Sequence, residues 1–351
     1  MPDLISSVSS RHGRSMRPRR VLAIVALLTG VWLAVGQAAK GGPERSALPT
    51  ALQPPGSTNA GSVTKAQFDE WMTKLSNWGR WGKDDERGAL NLITPEARRR
   101  AAALVKTGTT VSLSRLIPAE APSPGAGKPG QPRPINQNGS GANVFLIAGD
   151  YLFERQEIEY HGGRLSHFDA LCHVSYNGKL YNGLNFKEVV TERGCSKLSV
   201  NSAREGIVTR GVLLDLPGIR VRRQDVEDWE KKTGTKIGPG DALLLRSQRP
   251  GVPAAFGAAG YDPSLIPLLK ERDVALLGND SAQEGGTIDG VAIPIHTFTI
   301  VALGLNLLDN LALDEVAAMA DKLKRWEFML VVAPLRMDSG AGSPVNVIAT
   351  F

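Results

Sequence analysis

The chain has 351 residues, 42% of them hydrophobic and 22% charged, with a formal charge of +6. That charge is a poor guide to partners, because residues 1–39 hold five arginines and one aspartate, a local balance of +4 that leaves only +2 for the rest. A remainder so near neutrality carries no evident nucleic-acid footprint. Residues 17–20, Arg-Pro-Arg-Arg, precede an apolar run over 21–36, and small residues follow at Ala38 and Ala39. This is the order of a secretory signal peptide. The run falls short of the ~20 apolar residues of a bilayer span, so cleavage is expected, with no stable membrane anchor afterwards and a secreted or periplasmic location. Residues 40–64, rich in Gly, Pro, Ser, Thr and Ala without periodicity, read as a flexible linker. Residues 65–351 remain as one domain.

Within that domain Thr94-Pro95-Glu96 supplies an N-cap, a first-turn proline and an acid at the positive dipole end, so a helix is expected to start there and to close at Gly108. Asp262-Pro263 opens another in the same way. The short apolar runs at 212–216, 243–245, 274–277 and 328–332 read as buried strands. A mixed α/β fold follows. Residues 117–142 form a Pro/Gly-rich stretch too long for an ordinary connection, read as a flap over an active site, with a disordered surface insertion as the alternative. No Gly-x-Ser-x-Gly elbow is present, and Gly238-Pro239-Gly240 lacks a following lysine and reads as a turn rather than a phosphate loop.

Four of the five histidines lie beyond the N-terminal segment, and three of them, His161, His167 and His173, crowd into HGGRLSHFDALCH with Asp169 between the last two. Imidazole is the commonest neutral metal ligand, and a neighbouring carboxylate adds charge and a hard oxygen. His167-Phe168-Asp169 places both polar groups on one face of an extended strand, because side chains at i and i+2 point the same way. A divalent cation bridging them is a better account than a chance surface cluster or core histidines satisfied by backbone.

The same segment resembles the core motif of the metal-dependent cyclase family, which includes kynurenine formamidases and isatin hydrolase, with the pattern His-x-Gly-Thr-His-x-Asp-x-x-x-His. Ser166 stands for the threonine, and His167, Asp169 and His173 match position for position. The first histidine is expected at Gly163, and its role passes instead to His161, two residues earlier. Further family-like stretches occur in family order at 78–97, 171–183, 210–218, 276–280, 294–298, 307–317 and 340–349.

The resemblance implies a single mixed-sheet α/β domain of the cyclase / kynurenine formamidase type, with strands packed against helices. It implies His161, His167, Asp169, His296 and Asp309 as metal ligands, His173 as general base and then general acid, and Tyr181, Asn182 and Ser343 as substrate-pocket residues, for which turn and cap roles are the alternative. Asp309 stands where the family carries glutamate, one methylene shorter. Because His296 and Asp309 could not share a face on one unbroken helix, a helix begun near His296 should end at Gly304 and Asp309 should lie on the returning segment.

The ligand set suits Zn or Mn, as one or two ions. The implied activity is hydrolysis of a carbon–nitrogen bond in a small aryl formamide or cyclic amide. The alternatives are a lactone hydrolase or lyase on a cyclic carbonyl compound, and a metal-retaining binding protein without turnover. The expected partner is a small-molecule substrate, with assembly into a homo-oligomer left open. Pairing of Cys172 with Cys195 is also left open, a buried thiol being the favoured role for Cys172.

Overall fold

The computed structural model describes residues 63–117, 142–158, 160–162, 165–249 and 257–351. The expected signal segment, almost all of the expected linker, and all but the ends of the expected flap lie outside the described residues. The chain opens with α1 (Lys65–Lys74) and α2 (Pro95–Ala102), and both are capped by a threonine whose hydroxyl takes a backbone N–H, Thr64 from Gln67 and Thr94 from Ala97. The α2 start is as expected, but its end is not. The helix stops at Ala102, and Gly108 lies beyond it with its N–H on the carbonyl of Phe351.

Strand β1 (Thr110–Ser112), the hairpin β2 (Ala142–Ala148) and β3 (Tyr151–Glu157), and the short β4 (His167–Asp169) come next. They are followed by α3 (Phe186–Val189), a minor hairpin of β5 (Val190–Thr191) and β6 (Gly194–Cys195), then β7 (Ile207–Asp215), β8 (Arg220–Val221), α4 (Arg223–Thr233) and β9 (Ala242–Arg246). The remainder runs β10 (Gly260–Tyr261), α5 (Ile266–Glu271), β11 (Leu276–Asn279), α6 (Pro294–His296), β12 (Asn306–Asp309), α7 (Asp314–Leu323), β13 (Glu327–Val332), β14 (Gly342–Pro344) and β15 (Ile348–Thr350). Each of the four apolar runs read as a strand overlaps β7, β9, β11 or β13, although Val274 and Ala275 precede β11 and Leu216 follows β7. Among the described residues no helix is long and apolar enough to cross a membrane.

Nine strands form one sheet in the order β1-β15-β13-β7-β9-β11-β12-β4-β14. The neighbours β7, β9, β11 and β12 are parallel, while β4 and β14 are added antiparallel beyond β12. Leu213 and Leu214, Leu243 to Leu245, and Leu276 and Leu277 are fully buried on both faces. Such unbroken apolar runs belong to central parallel strands covered on each side. In open sheets of this kind sites gather beyond the carboxyl ends of the parallel strands, here the end of β12 at Asp309 and the segment leaving β11.

Candidate metal centre

Strand register assembles the first part of the centre. In the antiparallel pairing of β4 with β12, His167 lies opposite Asp309 and Asp169 opposite Leu307. Opposed residues share a face and alternate residues share it too, so His167, Asp169 and Asp309 project to the same side of the sheet. Phe168 points the other way. All three polar residues are buried.

Asp169 is the hub. Its Oδ1 lies 3.3 Å from His161 Nε2 and 3.5 Å from His167 Nε2, and its Oδ2 lies 3.6 Å from His296 Nε2. His167 donates from Nδ1 to the carbonyl of Leu165 at 2.8 Å, which leaves Nε2 as the free acceptor turned toward Asp169. His161 comes from the 3-10 turn Tyr160–Gly162 and stacks face to face on His173, with ring centroids 4.3 Å apart. Gly342 on β14 makes room for it, since a Cβ there would stand 2.8 Å from His161 Nε2. The Tyr160 hydroxyl donates to the Gly342 carbonyl at 3.0 Å and fastens the turn to the sheet.

His296 and Asp309 reach the same place by a longer route. Past His296 the chain makes a π-helical turn over Thr297–Leu303, which ends at Gly304 with φ +63°. It then returns as β12, as the sequence anticipates. A Cβ on Gly304 would stand 2.5 Å from the Tyr181 ring, so the reversal needs glycine for both its left-handed backbone and its close packing. His296 Nε2 lies 3.2 Å from Asp309 Oδ2, while its Nδ1 lies 3.0 Å from Glu284 Oε1.

Electrostatics follow from burial and crowding. Burial raises the pKa of the Asp169 carboxyl, yet the His161 contact and the charges of His173, His167 and His296 together hold it below the usual carboxylate range. Burial lowers the pKa of the His173 imidazole against a smaller opposing pull from Asp169. His296 goes the other way: burial lowers it, but Glu284 and Asp309 raise it well above an ordinary imidazole.

Two sets of donors lie close enough to share an ion: His161, Asp169 and His173, and His167, Asp169 and Asp309, with the ligating atoms of each set within 4.8 Å of one another. Asp169 belongs to both. Neither of its oxygens has a hydrogen-bond partner among the described residues, though both are buried. A buried carboxylate without donors is costly unless a cation meets it, and imidazole with carboxylate is the donor set of zinc and manganese. The residues present therefore fit a divalent metal.

The three expected pocket residues have protein partners of their own. The Tyr181 hydroxyl bonds Asp85 at 3.2 Å, and the Asn182 side chain is spent on Gly79, Gly82 and Asp85, clasping the 79–85 loop. Ser343 lies opposite Phe168 on β4, on the sheet face turned away from His167 and Asp169, and its hydroxyl accepts from Leu335 N–H. The turn and strand roles weighed as the alternative are thus visible for all three. Cys172 is likewise not a free thiol; it is joined to Cys195, with Cα atoms 6.4 Å apart. Sequence reading did not single out Gln283 or Glu284, since a loop glutamine and glutamate twelve or more positions before a histidine carry no spacing signal. Tyr160, beside His161, was missed as well.

The Cyclase family model matches residues 93–283, more than half of the chain. This protein belongs to the Cyclase family. The match includes His161, His167, Asp169 and His173 and ends one residue before Glu284. A solved structure described as a novel cyclase is similar over 79% of this chain and 100% of its own, at 27% identity and a TM-score of 0.65. Isatin hydrolase A from Ralstonia solanacearum is similar at 22% identity over 69% of this chain and 91% of its own, with a TM-score of 0.48. An isatin hydrolase bound to the product analogue thioisatinate is similar at 17% identity over 71% and 93%, with a TM-score of 0.45. No curated protein sequence matches this one.

Proposed function

We propose that this cyclase is a metal-dependent hydrolase cleaving a carbon–nitrogen bond next to a carbonyl in a small aryl formamide or cyclic amide. The observation that carries the reading is Asp169, fully buried, with neither oxygen hydrogen-bonded among the described residues and with imidazole nitrogens of His161, His167 and His296 at 3.3, 3.5 and 3.6 Å. His161, His167, Asp169, His296 and Asp309 would hold zinc or manganese, with Asp169 shared if two ions bind. A bound divalent ion lowers the pKa of water toward ~7 and polarises a carbonyl.

His167 keeps its ring orientation through the Leu165 carbonyl, and His161 keeps its own by stacking on His173 with the tilted Tyr160 ring also against it. His173, stacked on His161, would take a proton from the attacking water and return it to the leaving nitrogen. The substrate class rests on the family resemblance of the sequence. The same reading places the enzyme outside the cytoplasm on the strength of the 17–39 segment, and the Cys172–Cys195 pair accords with an oxidising compartment.

The test is metal analysis of the purified protein followed by turnover of aryl formamides, cyclic amides and lactones before and after chelation. The expected result is amide turnover that is lost to the chelator and restored by zinc or manganese. Turnover confined to lactones would move the assignment to the alternative substrate class. A metal-loaded protein inert on the whole panel would contradict an enzymatic role.

A further inference from the structure

Two consecutive residues outside the proposed ligand set face two of its members from behind. Gln283 Nε2 donates to Asp309 Oδ1 at 2.5 Å and to the Leu308 carbonyl at 3.0 Å. Glu284 Oε1 accepts the backbone N–H of His296 at 3.1 Å and lies 3.0 Å from the same residue's Nδ1. Both side chains are buried, with residue exposures of 0% and 2%. In each case the contacted atom is the one turned away from the hub. Asp309 keeps Oδ2 free of Gln283, and His296 keeps Nε2 free of Glu284; those two atoms lie 3.2 Å apart, with Asp169 Oδ2 at 3.6 Å from the nitrogen.

The pair is itself held rigidly. Tyr261 N–H donates to the Gln283 carbonyl and Gly285 N–H to the Tyr261 carbonyl, both at 2.9 Å, so the backbone on each side of Glu284 is tied to β10. Tyr261 is in turn fixed, fully buried with its hydroxyl on the carbonyls of Leu243 and Gly278. The close approach needs glycine on both sides, since a Cβ on Gly285 would stand 2.2 Å from the Gly260 carbonyl oxygen. Side chains on so constrained a backbone have little freedom to point elsewhere.

We infer that Gln283 and Glu284 form an orienting pair for the metal centre: Glu284 holds the hydrogen of His296 on Nδ1 so that Nε2 faces the metal, and Gln283 determines which oxygen of Asp309 is presented. The inference rests on reading His296 and Asp309 as ligands. Its physical basis is general, because a carboxylate behind a ligating imidazole fixes ring orientation and raises basicity, and losing such support costs about 10 to 100-fold in metal affinity. Glu284 is thus a positioning residue, with no role in contacting substrate.

The experiment measures zinc affinity of the full chain by competition with a chromophoric chelator, together with the His296 ring N–H resonance of the zinc-loaded, histidine-labelled protein. Wild type should show a downfield His296 Nδ1–H that exchanges slowly with solvent. Glu284→Ala should lower zinc affinity about 10 to 100-fold and shift that resonance upfield with faster exchange. Glu284→Gln keeps an acceptor oxygen at the same reach, so it should lose less affinity and retain the Nδ1–H signal; it also decides the matter if the alanine variant fails to fold. Zinc affinity equal to wild type in the folded variants overturns the orienting pair while leaving the metal reading intact. A wild-type protein that takes up neither zinc nor manganese overturns the metal reading and the pair with it.

Discussion

The near side of the centre, near in sequence to Asp169, is His161, His167 and His173, all delivered by the stretch HGGRLSHFDALCH. The far side, remote in sequence, is His296 and Asp309, separated by 13 positions, a π-helical turn and a chain reversal, and backed by Gln283 and Glu284. The near side is built from strand alternation, one glycine clearance at Gly342 and the stacking of two rings. The far side is built from packing: Gly304 against Tyr181, the 282–286 segment against β10, and β12 in register with β4. A ligand on the near side should therefore be lost only by changing it or its immediate neighbours. On the far side the geometry should be sensitive to substitutions that touch no ligand.

The largest effect is expected on the near side. His173→Ala should retain metal while losing ~10² to 10⁴-fold in turnover, the usual contribution of a placed proton-transfer group. Metal content and rate must be read on one preparation, because His173 also lies within ligand distance of His161 and Asp169. If both fall together in proportion, His173 is a ligand and not the proton carrier.

Next comes a test of the far side's dependence on packing. Gly304→Ala places a Cβ 2.5 Å from the Tyr181 ring at a backbone φ of +63°, and overpacking with left-handed strain should cost about 2 to 4 kcal/mol in denaturant unfolding. Metal affinity should fall as well, because Asp309 is placed by the chain that Gly304 reverses. A loss below about 1 kcal/mol with unchanged affinity would show that the far side is no more fragile than the near one.

A smaller effect is expected at His161, the displaced first histidine of the motif. His161→Ala should lower metal affinity ~10-fold or more, whereas retention of wild-type affinity would make its ring only a stacking partner for His173.

The smallest effect on metal binding, none, is expected outside the centre and serves as its control. Burial raises the Asp241 carboxyl to about 6, against smaller lowering by Arg210 and the Gly238 N–H. The folded state then binds this proton more tightly than the unfolded chain, so stability is fully present below the ordinary value of 3.8 and declines as pH rises toward about 6. Asp241→Asn should flatten that decline, about 3 kcal/mol for a shift of this size, with metal binding unchanged. An identical pH profile in the variant would remove Asp241 as its source.

The near side was legible because a strand of three residues with polar groups at i and i+2 has only one way to present them, and the β4 register keeps His167 and Asp169 together. The reversal at Gly304 was legible too, since helical rotation alone could not align His296 with Asp309. The π-helical turn was not, because Thr297–Leu303 is buried throughout and carries no periodic mark of its extra width. Gln283 and Glu284 escaped for a related reason: their partners are chosen by tertiary pairing with β10, which no local spacing encodes. Tyr181, Asn182 and Ser343 show the converse, family-like residues whose polar atoms turn out to hold loops and strands. The Cys172–Cys195 pairing depended on bringing α3 and its hairpin back beside the motif, which sequence separation does not determine.

The central claim is that Asp169 is buried without donors because a divalent cation completes it. Thermal unfolding of wild type and Asp169→Asn, each in chelator and in added zinc or manganese, tests this most directly. For wild type the account predicts a midpoint that drops in chelator and rises with metal, by the equivalent of about 4 kcal/mol when free metal exceeds its dissociation constant a thousandfold. Asp169→Asn, freed of an unpaired buried charge, should be at least as stable as wild type in chelator and indifferent to metal. A wild-type midpoint that ignores both chelator and metal, or an Asp169→Asn variant that responds to metal as wild type does, would contradict it.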